Sequence, residues 1–107
     1  MTTVEPTREQ LSLSSVLEAL ANPLRLRVVV RLSQGPAVSG CGELLPEISK
    51  STASHHLRTL RDSGVMRLTR DGRYLRPELR RDDLDARFPG LLDVVLASAD
   101  EARAATA

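Results

Sequence analysis

The feature that most constrains this chain is a 28-residue stretch, Ser49 to Arg76, in which helix and hairpin signals follow each other almost without a gap. Ser49 is suited to cap the free amides of a helix running Lys50 to about Asp62. Ser63-Gly64 stops that helix, because Gly adopts the left-handed conformation common just past a helix end. Val65, Arg67 and Thr69 then alternate with Met66 and Leu68, and Asp71-Gly72 is a dipeptide favoured in two-residue turns ahead of Arg73, Tyr74, Leu75 and Arg76. A helix that feeds straight into a tight β-hairpin leaves few architectures open.

The flanking segments narrow them further. Leu13, Val16, Leu17 and Leu20 recur at helical spacing within Glu9 to Leu20. Asn22-Pro23 is a start signal for a second helix to about Ser33, with Leu24, Val28 and Leu32 on its apolar face and Gly35-Pro36 at its end. The stretch Ala37 to Ile48, broken by Gly40, Gly42 and Pro46, has room for one short helix around Glu43, Leu44 and Leu45. Asp82 and Asp83 open a helical turn to Phe88, and Pro89 begins a last helix with Leu91, Leu92, Val95, Leu96 and Ala99 as its stripe. The expected fold is mainly α with a small β-hairpin: three helices, a fourth running Lys50 to about Asp62, the hairpin, and a terminal helix. That is the order of a winged helix-turn-helix, which sets one helix in a DNA major groove and a hairpin beside it. Residues 1–8 read as a flexible tail and residues 9–104 as a single domain with terminal helices for dimerisation.

Composition excludes several alternatives. Tyr74 and Phe88 are the only aromatic residues, so a surface that stacks single-stranded bases on rings has almost nothing to work with. One cysteine, Cys41, forms neither an internal disulfide nor a multi-cysteine zinc site, and a reducing cytoplasm is the expected setting. The longest uncharged stretch, Leu32 to Gly42, is too short and too rich in Gly to span a membrane. No Gly-rich phosphate loop occurs, and the two histidines are neighbours on one helix rather than converging from separate elements, so an enzyme is disfavoured.

The net charge of +1 conceals a strong asymmetry. Lys50 to Arg81 contains nine Lys/Arg and three acids, a net +6 that leaves −5 for the remainder. The basic third coincides with the helix and hairpin that a winged-helix protein turns toward a polyanion. A winged-helix adaptor that binds another protein is the alternative, but it has no need to concentrate arginine there.

Two stretches carry a family resemblance. Leu20-Ala21-Asn22-Pro23-Leu24-Arg25-Leu26-Arg27-Val28 resembles the opening signature of the ArsR family of bacterial winged-helix repressors. Ser54-His55-His56-Leu57-Arg58-Thr59-Leu60-Arg61-Asp62-Ser63-Gly64-Val65 resembles that family's recognition helix and its exit into the wing. The resemblance covers about Leu13 to Leu96 and implies a homodimer that binds a palindromic operator in double-stranded DNA, represses transcription and releases DNA on sensing a metal or another signal.

At about 100° per residue, Ala53, Leu57 and Leu60 face the core, while Ser51, His55, Arg58, Thr59 and Asp62 lie opposite. Lys50, Ser51, Thr52 and Ser54 sit near the helix start, where small side chains and free amides approach phosphates closely. His55 and Arg58 are the candidates for base reading, since Arg pairs bidentately with guanine. His56 falls beside the core stripe and reads as a packed histidine. Adjacent histidines diverge too far on a helix to share a metal. Arg70 and Arg73 flank the hairpin tip as candidates for a minor-groove or backbone contact, supported by Arg67 and Arg76.

Metal-sensing relatives often place paired cysteines before the recognition helix, or Asp, His and Glu ligands on the last helix. Here the first region offers only Cys41 with Glu43 and Glu47, and the chain from Pro89 onward contains neither His nor Cys. No metal or other cofactor is expected, and Cys41 is a candidate redox sensor or an inert small side chain. Leu13, Val16, Leu17, Leu20, Leu91, Leu92, Val95 and Leu96 supply more apolar surface than a small monomer readily buries, and the resemblance favours their use in a homodimer.

Overall fold

A computed structural model of the 107-residue chain describes residues 5–35 and 44–106. After a 3-10 turn at Arg8–Gln10, α1 spans Leu13–Leu20, α2 Pro23–Ser33 and α3 Lys50–Ser63. The hairpin pairs β1, Met66–Asp71, with β2, Tyr74–Leu79, and is followed by α4, Arg81–Arg87, and α5, Leu91–Thr106. This is the mainly helical, hairpin-bearing architecture that the sequence order implies.

Local capping chemistry sets the boundaries. Asn22 Oδ1 accepts from the amides of Leu24 and Arg25 at 2.9 and 3.2 Å, and Ser49 Oγ accepts from Thr52 N at 3.3 Å. At the end of α3, Gly64 has φ +87°; its N–H donates to Arg61 O, and Val65 N donates to Leu60 O at 3.1 Å. These bonds satisfy carbonyls the helix leaves open, and buried Val65 and Leu60 complete the motif.

Three expectations are corrected, and a fourth is tested only in part. The first helix begins at Leu13, not near Glu9, because Ser12 caps it, accepting from Ser15 N, and Leu11 turns into the core. The two-residue hairpin loop is Gly72-Arg73, since Asp71 pairs with Tyr74; Gly72, at φ +63°, occupies the first loop position. The last helix begins at Leu91 because Gly90, at φ +84°, turns the chain after Pro89 and its carbonyl takes the first helical bond, from Val94. Of the short helix expected between Ala37 and Ile48, Leu44–Ile48 forms turns, and the rest, with Cys41, lies outside the described residues.

Residues 5–8 of the expected tail are docked. Pro6 O accepts from Arg80 Nη1 at 2.6 Å, Arg8 pairs with Asp83 at 2.7 Å, and Glu5 Oε2 accepts from Leu68 N at 2.9 Å. That amide is available because the hairpin register, closed by the Asp71–Tyr74 pair, points the N–H of Leu68 away from β2. Pro77, opposite Leu68, fits the same register because a residue at such a position donates nothing across the ladder.

One core joins the elements: Leu11, Val16 and Leu20, Val28 and Val29, Leu44 and Leu45, Leu60, Val65 and Met66, Leu84 and Leu92 are buried together. Leu44 and Leu45 hold the segment before α3 against the body, helped by Arg31 donating to Leu44 O and by an Arg27–Glu47 ion pair. The helix that carries most of the candidate residues is therefore wedged between α1, α2 and β1.

Candidate nucleic-acid interface

The rear of α3 is fixed by a polar clamp as well as by apolar packing. Arg25 of α2 donates from Nε to Ala19 O at 2.8 Å and from Nη2 to Glu18 O at 3.3 Å, and its Nη1 lies 3.1 Å from His56 Nδ1. Guanidinium only donates, so Nδ1 of His56 is the accepting nitrogen and the ring is neutral. Burial, the neighbouring Arg25 charge and His55 together lower the His56 pKa below its ordinary value. The packed role read for His56 follows from its position beside Leu60 on the inner side of the helix. His55 points elsewhere: the two rings stand 5.5 Å apart, tilted by 55°, and His55 is exposed.

The front of the same helix presents Lys50, Ser51, Thr52, Ser54, His55 and Arg58, all exposed, with Asp62 exposed one turn beyond Arg58. Thr59 is half-buried and its hydroxyl donates back to His55 O at 3.1 Å, which removes it from the reading face. Ser54, Leu57, Arg58, Arg61 and Leu68 border one shallow groove, so the front of α3 is continuous with the inner end of the hairpin. Arg70 and Arg73 stand exposed at the far end of that hairpin.

The basic segment divides into two populations. Arg80 is buried, 2.9 Å from Asp83, and Asp83 also takes Arg8 and, at 3.5 Å, Arg67. The Arg8 hydrogen bond, reinforced by Arg80 and opposed by burial, holds the Asp83 carboxyl below its ordinary pKa. Arg81 pairs with Asp85 and Asp93. Arg67, expected to support a nucleic-acid contact, is instead committed to Asp83 and lies 3.9 Å from Glu78. Among the described residues, Lys50, Arg58, Arg70 and Arg73 have no carboxylate within ion-pair distance. These are four cations that charge patterning and helical phase had already singled out.

Comparison with known proteins places this geometry. A family profile described as a helix-turn-helix domain matches residues 20–69. The HTH-type transcriptional regulator YceK of Bacillus subtilis is 31% identical over 84 residues, covering 77% of this chain and 84% of that protein. The regulator CmtR of Mycobacterium tuberculosis is 34% identical over 86 residues, 80% of this chain and 73% of its own. A crystal structure of an ArsR family transcriptional regulator superimposes with a TM-score of 0.61 at 31% identity, covering 83% of this chain and 92% of that one. The chain belongs to the ArsR family of winged helix-turn-helix transcriptional regulators. In this ArsR protein α3 is accordingly the recognition helix and the β1–β2 hairpin the wing, and the family is one of DNA-binding, non-enzymatic proteins.

CmtR of M. tuberculosis is also known from an NMR structure as a cadmium sensor, with a TM-score of 0.57 to this fold over 78% of this chain and 88% of that one. In this ArsR protein no three His, Cys, Asp or Glu side chains come together as a metal site among the described residues. Likewise, among the described residues no helix is long and apolar enough to cross a membrane.

The expected dimer residues divide by burial. Val16, Leu20 and Leu92 lie in the core of the single chain and leave little surface for a partner. Leu91, Val95 and Leu96 are half-buried against that core, whereas Leu13 and Leu17 are 48% and 45% exposed. Val94, absent from the expected stripe, is the most exposed large apolar residue among the described residues, at 64%. Sequence reasoning also missed Arg25, Asp83 and the docked segment at residues 5–8. The proximity of Asp83 to Arg80 was a visible signal, but the docking of Glu5 was not encoded in any local pattern.

Proposed function

We propose that the protein is a homodimeric, cytoplasmic, sequence-specific repressor that reads a palindromic operator with α3 and steadies itself with the wing. Lys50, Ser51, Thr52 and Ser54 contact the backbone at the start of α3, His55 and Arg58 reach base edges, and Arg70 and Arg73 hold the flanking duplex. The observation that carries this reading is the coincidence of exposed cations, with no ion pair among the described residues, with the front of α3 and the wing tip, in a segment whose other arginines are largely committed to acids. Metal has no part in the proposal; Cys41 would be the place to look for a chemical signal.

The dimer would be built from Leu13 and Leu17 of α1 and from Leu91, Val94, Val95 and Leu96 of α5, the exposed and half-buried apolar residues of the two helices. A Leu13→Glu, Leu17→Glu double variant keeps its fold because both positions are exposed. It should run as a monomer in analytical ultracentrifugation and lose operator affinity by about a hundredfold or more, since both half-sites must then be engaged separately.

The decisive experiment is fluorescence anisotropy on duplex DNA from the chain's own upstream region, against a scrambled duplex, across a salt series. Binding about a hundredfold tighter to the native duplex at physiological salt is the expected outcome. Equal and steeply salt-dependent binding to both would overturn the reading.

A further inference from the structure

We infer that Leu75, at the outer end of the wing's apolar face, makes a direct contact in the minor groove of the bound duplex and senses the amino group that guanine displays there. The inference deepens the DNA-reading proposal above and rests on it.

The register gives the hairpin two unlike faces. Met66, Leu68 and Arg70 stand opposite Leu79, Pro77 and Leu75, while Arg67 and Thr69 stand opposite Glu78 and Arg76 on the other face. The apolar face is buried at its root, where Met66 and Pro77 are covered, and half-buried at Leu68. It then outruns the domain, leaving Leu75 at 45% exposure. A polar residue would serve at that position if the face ended with the core. Instead the exposed leucine has Arg70 directly across the ladder and Arg73 two residues away in the loop, both exposed and neither near a carboxylate among the described residues.

A leucine set between two available cations matches a surface that is anionic at its edges and apolar between them. The minor groove has that character, with phosphates along its rims and deoxyribose C–H groups lining its walls. The same hairpin face continues inward through Leu68 to the groove bordered by Ser54 and Arg58, so Leu75 lies on one continuous surface with the proposed reading residues. At an A·T step the groove floor carries only acceptors, whereas guanine adds a protruding amino group that would hold the leucine off.

The test uses the full-length protein and the upstream duplex it binds most tightly. Adenines in the segments flanking the α3 half-sites are replaced by 2,6-diaminopurine, which adds the minor-groove amino group and leaves the major-groove edge unchanged. The wild-type protein should bind the substituted duplex about tenfold more weakly. Leu75→Ala should bind the unmodified duplex about fivefold more weakly, lose most of the diaminopurine penalty, and keep the wild-type salt slope, because no phosphate contact is removed. Leu75→Met, which retains the apolar contact, should restore both affinity and penalty. Arg73→Ala should do the reverse of Leu75→Ala, lowering the slope and keeping the penalty. A wild-type protein indifferent to diaminopurine, or a Leu75→Ala variant that retains the full penalty, would overturn the inference while leaving the DNA-reading proposal intact. A Leu75→Ala variant that changes only self-association would assign the residue to contact between copies of the chain. A wild-type protein that does not select its own duplex would remove both proposals together.

Discussion

The two sides of the recognition helix use the same residue type for opposite ends. Behind it and at the hinge into the wing, Arg25, Arg80 and Arg67 are engaged by carbonyl, imidazole and carboxylate acceptors. In front of it and at the wing tip, Arg58, Arg70 and Arg73 are exposed and carry no ion pair among the described residues. The contrast teaches that a count of positive charge does not locate an interface; the balance between donors and internal acceptors does. Arginines of the first kind fix the geometry, and those of the second kind are left with donors to give away.

The sharpest way to break this comparison is to remove one arginine from each side and measure both folding and DNA binding. Arg80→Met strips a buried cation from Asp83 and from Pro6 O, and should lower stability by about 3 kcal/mol in urea unfolding. An effect as small as that of a surface substitution would show that Asp83 is adequately held by Arg8 alone. Arg58→Ala should leave stability within about 0.5 kcal/mol of wild type but cost about 1–3 kcal/mol of discrimination between the native duplex and one altered at its contacted base pair. Arg73→Ala should weaken binding to all duplexes alike and reduce the salt slope by about one unit; an unchanged slope would take Arg73 out of the interface.

The smallest effect concerns His56 and comes from pH. Its folded-state pKa lies below its unfolded value, so the unfolded chain binds the proton more readily. Its contribution to stability is therefore complete above the unfolded pKa of about 6.5 and is lost as pH falls through the lower folded value. Asp83, also lowered, acts in the same direction but only in the more acidic carboxylate range. His56→Asn, which keeps an acceptor near the Nδ1 position without a titrating ring, should flatten the stability profile between about pH 7 and 5. A profile unchanged by that substitution would mean that the Arg25 clamp does not depend on a neutral imidazole.

Much of this was legible from the chain alone, for identifiable reasons. The caps at Asn22 and Ser49 and the left-handed Gly64 are local chemistry, so the sequence marks α2 and α3 to within a residue of their observed ends. Helical phase separated exposed Arg58 from buried Leu60. Elements shaped by distant contacts were harder to read. The apolar stripe of α1 is continuous from Leu13 to Leu20, and nothing in its period reveals that Val16 and Leu20 turn inward while Leu13 and Leu17 stay in solvent. The docked residues 5–8 depend on Leu68, Arg80 and Asp83, far along the chain, and so escape any window of local sequence. The same limitation hid Arg67, whose acid partner belongs to a different element.

That early segment also constrains how the protein is made. A Cβ at Gly64 would strike Leu11, and residues 5–8 have long-range partners at Leu68, Arg80 and Asp83. Because synthesis proceeds from N- to C-terminus, residues 5–8 leave the ribosome before the wing and the start of α4 and must wait for them before they can settle. Helices α1 and α2 can meet early, but closing the hinge is a long-range and therefore late event. A nascent chain halted before Asp83 would leave Arg8 without its carboxylate partner, so residues 5–8 should become protected from proteases later than α1 and α2, although they are translated before them.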